Sequence, residues 1–187
     1  MRGWNQMRKL VIAAMSLTVF LAACGSSEAS KFNDADVVFV QGMIAHHDQA
    51  ILMSDMALAD SANASTSVTD LAQRIKDAQN PEVSMMKSWL STWDMPMQME
   101  STGDSSMGDM GHGGLMSDSE MASMDGKMGS EFDKTWLELM IKHHQGALDM
   151  ANAIKQDGMN SDVMNLADQI ISGQSAEIAE MEQMLNR

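Results

Sequence analysis

The run Met43-Ile44-x-His46-His47-x-x-Ala50-x-x-Met53 returns as Met140-Ile141-x-His143-His144-x-x-Ala147-x-x-Met150, with an offset of 97 residues at every position. A fainter echo follows each copy. Leu71-Ala72-x-x-Ile75 answers to Leu166-Ala167-x-x-Ile170, with Gln79, Met86 and Leu90 opposite Gln174, Met181 and Leu185. Around each motif apolar residues recur at spacings of three, four and seven, the mark of a helix with one buried face. The chain is therefore a duplicated helical hairpin. Two amphipathic hairpins can hide their stripes only against each other, so the expected fold is all-α, a four-helix bundle of pseudo-twofold character.

The first helix is expected over 34–59, with Val40, Met43, Ile44, His47, Ile51 and Leu58 as its stripe, and polar residues 61–66 end it. The second spans about 68–93, and Pro81 inside it is expected to kink or split it. Helical periodicity resumes at Phe132 and stops near Asp157-Gly158. A fourth helix follows, with Ser161 as its expected N-cap and Leu166, Ile170, Ile178, Met181 and Leu185 on its apolar face. Between the halves, about 94–129, Gly, Ser, Asp and Met replace the branched aliphatics, and this insert is expected to be a flexible loop.

Arg2, Arg8 and Lys9 precede an apolar run from Leu10 to Ala22, the layout of a secretory signal. The run is shorter than the roughly 20 residues that a membrane-spanning helix needs. Leu21-Ala22-Ala23-Cys24 resembles a lipobox, so residues 1–23 are expected to be cleaved and Cys24 to carry lipid, with 24–33 as a tether and 34–187 as the domain. The expected location is the periplasmic face or the outer cell surface, with the membrane as a partner through that lipid. Cys24 is the only cysteine, so packing rather than disulfides must stabilise the fold. The formal net charge is −14, and loss of the three basic leader residues makes it more negative. Such a field repels phosphate backbones, which excludes nucleic acid as a natural partner and concentrates cations.

Turning each residue 100° about the helix axis puts His47 and His144 on the inner face, and His46 and His143 on the flank, toward the rim. Imidazole binds first-row transition metals through a neutral nitrogen, and thioether selects soft ions such as Cu(I) over Mg²⁺ and Ca²⁺. The repeated set Met43, His46, His47 and Met53, with Met140, His143, His144 and Met150, therefore points to copper. Two alternatives stay open here. The methionines can be core packing, and inner His47 and His144 can be structural, leaving His46 and His143 as ligands. No Glu-x-x-His pair marks a di-iron centre, and neither a phosphate-cradling glycine loop nor a His-Glu-x-x-His zinc site is present.

The insert adds an independent signal. Eleven of the 23 methionines fall between Met85 and Met128. No apolar stripe exists there to receive them, so Met95, Met97, Met99, Met107, Met110 and His112 form a secondary set of soft donors. A pool of oxidisable sulfur or a sticky surface for proteins would account for them as well.

The motif Gly42-Met43-Ile44-Ala45-His46-His47-Asp48-Gln49-Ala50 and its echo Met140-Ile141-Lys142-His143-His144-Gln145-Gly146-Ala147 resemble those of a bacterial "domain of unknown function" family that contains the CopM copper-binding proteins. The resemblance covers about 34–187 and implies a ferritin-like four-helix fold, an exported location and copper binding. It also implies that the eight repeated Met and His residues are ligands. The expected function is a non-enzymatic lipoprotein that sequesters or carries copper, as Cu(I) or Cu(II), without an organic cofactor; another copper-handling protein is a candidate partner. A metal-dependent redox enzyme oxidising Cu(I), and a metal-free interaction module using the Met-rich loop, are the alternatives.

Overall fold

The computed structural model describes residues 31–98 and 113–187. Four long helices make the fold: α1 (Asp34–Leu58), α2 (Thr66–Thr92), α4 (Gly129–Asp157) and α5 (Ser161–Leu185), with a short α3 (Asp118–Ala122) before α4. No strand occurs among the described residues. The expected four-helix bundle is what forms.

Each start has a local cause. Asn33 and Asp36 form a reciprocal capping box at α1, and the Asn160 side chain accepts from the amides of Asp162 and Val163 at α5. The cap of α5 is thus Asn160, and the expected Ser161 is its first helical residue. Helix α2 runs unbroken through Pro81. Pro81 lies on the exposed side, where solvent can take the carbonyl that its missing N–H leaves free.

The α1–α2 and α4–α5 hairpins stand against each other, with α1 and α4 packed closely and antiparallel. The indole of Trp136 donates to the Met53 carbonyl at 2.8 Å near one end of their contact, while Asp36 meets the α4–α5 turn at the other. Across the bundle, Arg74 of α2 donates to both carboxylate oxygens of Glu180 on α5 at 2.7 Å.

The pseudo-twofold relation extends to the turns. Asp36, fully buried, accepts from the amides of Asn33, Met159 and Asn160 at 2.9–3.2 Å. Its counterpart Asp133, 97 residues later, accepts from Ser65 N at 3.2 Å. Each hairpin's first helix therefore fastens the turn of the other. Gly158 is needed here for space: a Cβ there would sit 2.9 Å from Asp36 Oδ1, and its φ of −76° is open to any residue.

Of the insert, residues 94–98 and 113–128 are described, and they are tied to the bundle. Gln41 Nε2 donates to the Pro96 carbonyl at 2.7 Å. Gln49 clamps Met116 from both sides, accepting from its N–H at 2.7 Å and donating to its carbonyl at 2.9 Å. Helix α3 has its own capping box, built by Ser117 and Glu120, and an ion pair from Glu120 to Lys142 of α4. Gln41 and Gln49 hold loop backbone, while Met116 and Met124 of the insert are buried in the core, so apolar packing fastens this segment as well.

A buried histidine centre between the two hairpins

The four motif histidines come together in the middle of the bundle. His46 and His143 face each other across the α1–α4 contact, ring centroids 3.7 Å apart. His47 turns toward its own hairpin partner α2, where Nε2 lies 2.7 Å from Glu82 Oε2. His144 does the same on α5 with Glu177 Oε2, also at 2.7 Å. Consecutive residues differ by about 100° around a helix, and α1 has neighbours on two sides, so each adjacent histidine serves a different one.

The placement of His46 and His143 at the rim is overturned: they are 1% and 0% exposed, as enclosed as His47 and His144. The wheel identified the stripe facing a helix's own partner but not the second face that the opposite hairpin buries. In consequence α1 is covered around most of its circumference.

Both ring nitrogens of His46 and of His143, and Nδ1 of His47 and His144, have no hydrogen-bond partner. Leaving buried polar atoms unpaired costs about 1–3 kcal/mol each, so this centre is not built for stability. Burial, reinforced by neighbouring His47 and His144, lowers the His46 pKa from 6.5 to about 3. Burial first, and then the other three rings, likewise hold His143 well below its ordinary value. Both rings are thus neutral imidazoles at physiological pH, the form that ligates metal.

The thioethers flank this layer in mirrored pairs. Met43 and Met150 belong to the apolar cluster on one side, and Met53 and Met140 to that on the other; all are 0–4% exposed. Among the described residues no three His, Cys, Asp or Glu side chains converge closely enough to hold an ion.

Of the secondary set, Met95 is half-buried against the core and Met97 is exposed. Met99, Met107, Met110 and His112, and the lipobox Cys24, lie outside the described residues. Sequence reasoning missed Glu82 and Glu177. Their separation of 95 residues equals that of Gln79 and Gln174, so the repeat carried the signal.

Solved structures share this architecture. A DUF305 fragment from Deinococcus radiodurans is 29% identical, with a TM-score of 0.69, over 83% of this chain and 97% of that one. A DUF305 protein from Streptomyces coelicolor, provisionally described as secreted, is 29% identical with a TM-score of 0.72, over 81% and 92%. CopM in its Cu(I)-bound form is 30% identical with a TM-score of 0.64, over 81% and 95%. No curated protein matches the chain. Residues 36–185 match the family described as "Domain of unknown function (DUF305)", and the chain is a member of that family.

Proposed function

We propose that this protein is an extracytoplasmic copper holder that binds Cu(I) between its hairpins through imidazole and thioether, and so sequesters or carries the ion. The observation that carries this reading is the His46–His143 pair, fully buried with all four ring nitrogens unpartnered and flanked by four buried methionines. CopM, solved in Cu(II)-, Cu(I)- and Ag-bound forms, supports it. Neutral rings need release no proton on binding, and sulfur biases the site against Mg²⁺ and Ca²⁺. Export by residues 1–23, in keeping with the description of the Streptomyces relative as secreted, and lipid on Cys24 complete the proposal.

Residues 24–187, titrated with Cu(I) against competing chelators, should bind tighter than micromolar, and replacing both His46 and His143 with Ala should weaken binding at least about tenfold, a loss of some 1.4 kcal/mol. Wild-type affinity weaker than micromolar, or an unchanged value in the double variant, would defeat the assignment. Oxygen uptake with turnover on adding Cu(I) would favour the redox-enzyme reading instead.

A further inference from the structure

His47 and His144 differ from the central pair in one respect: one nitrogen of each is committed, and the committed partner is a carboxylate. Glu82 Oε2 and Glu177 Oε2 each lie 2.7 Å from an Nε2, at the short end for an N–H to oxygen bond. The imidazoles are 0% exposed and the carboxylates 22%, so each glutamate bridges from the α2–α5 surface to the buried ring. Glu82, Glu177, Gln79 and Gln174 share one small cleft of about 50 Å³ between α2 and α5.

An ionised carboxylate only accepts hydrogen bonds. A neutral histidine facing it must carry its proton on Nε2, which leaves Nδ1 as a bare lone pair. In both residues that Nδ1 is buried and meets no donor. A bare acceptor in an enclosed site is an uncompensated cost, and it occurs twice in mirrored positions. Two rings held alike by two carboxylates, each left with an unused buried lone pair, match the arrangement that orients a metal-binding histidine from behind.

From this we infer that Glu82 and Glu177 are positioning residues, which lock His47 and His144 in the Nε2–H tautomer and so make Nδ1 the metal-facing atom of each ring. The inference rests on the copper reading above and deepens it, since it assigns the donor atom of His47 and of His144 without bringing three histidines onto one ion. The carboxylate does more than aim the ring. By accepting the Nε2–H it makes Nδ1 a stronger donor, and it offsets part of the positive charge that an ion brings into the bundle.

The test begins without metal. Long-range ¹H–¹⁵N correlation spectra of histidine-labelled residues 24–187 at neutral pH should show protonated Nε2 and unprotonated Nδ1 in His47 and His144. Glu82→Leu should abolish that preference at His47 and leave His144 unchanged, so the second hairpin reports within the same molecule that the fold is intact. Glu82→Gln, which still offers an acceptor, should restore the tautomer. With Cu(I) and a competing chelator, Glu82→Leu should weaken binding about 10–100-fold, and Glu82→Gln should fall between it and wild type. Protonated Nδ1 in the metal-free wild type overturns the inference alone, as does a lost tautomer preference with unchanged copper affinity. Absence of copper binding by the wild type overturns the reading beneath it, and the inference with it.

Discussion

His46 shows how position outweighs residue type. The same side chain on a surface would titrate near 6.5, yet inside the bundle its pKa falls to about 3, chiefly through burial. In the metal-free protein the folded state then stays unprotonated between those values while the unfolded chain takes up a proton. Stability is full above pH 6.5 and declines as pH falls toward 3, with His143 adding in the same direction. The rings beside this pair, His47 and His144, are held by Glu82 and Glu177. Urea midpoints between pH 7.5 and 5 should therefore fall more steeply in wild type than in a His46→Gln/His143→Gln protein; parallel curves would contradict the assignment. Sequence alone identified these residues and their chemistry, because a doubled motif is visible without coordinates. Their neighbours were not legible in the same way, since Glu82 is 35 residues from His47 and only the packing of α1 on α2 joins them.

At the level of elements, the informative contrast is between two helical glycines. Gly146 of α4 lies one turn beyond His143, and Gly114 of the insert rests directly on it; a Cβ at Gly146 would come 2.2 Å from Gly114 Cα. With the Gln49 clamp on Met116, this contact seats residues 113–116 across α1 and α4 beside the histidine layer. Gly173 of α5 has nothing within 4 Å of such a Cβ. Gly173→Ala should thus gain up to about 1 kcal/mol from helix propensity, whereas Gly146→Ala should lose about 1–3 kcal/mol through overpacking. Denaturant unfolding measures both. Faster hydrogen exchange at the Met116 amide in Gly146→Ala would locate the damage, and unchanged exchange there would count against the seating. The long helices were readable from their periodicity, but this strap was not. Its seating depends on backbone contact, on Gln41 and Gln49, and on Met116 and Met124, two buried side chains too isolated among Gly, Ser and Asp to show as a stripe in the sequence. Pro81 misled for a related reason, since a proline on an exposed helix face costs less than one whose freed carbonyl is buried.

Over the whole molecule, the two hairpins hold each other through unequal versions of one latch. Asp36 is fully buried and meets three amides, while Asp133 meets Ser65 alone at an exposed site. Asp36→Ala should accordingly destabilise by about 2–4 kcal/mol and Asp133→Ala by about 1 kcal/mol or less. Thermal unfolding followed by circular dichroism ranks them, and an equal or inverted order would refute the latch. The pseudo-twofold plan was legible in the 97-residue repeat, whereas the side on which one hairpin meets the other was fixed by packing. That reciprocity also reaches beyond a single chain. Since each half completes the corners and the central layer of its opposite, a hairpin of one copy presents to a second copy the same surface that it offers to its own partner.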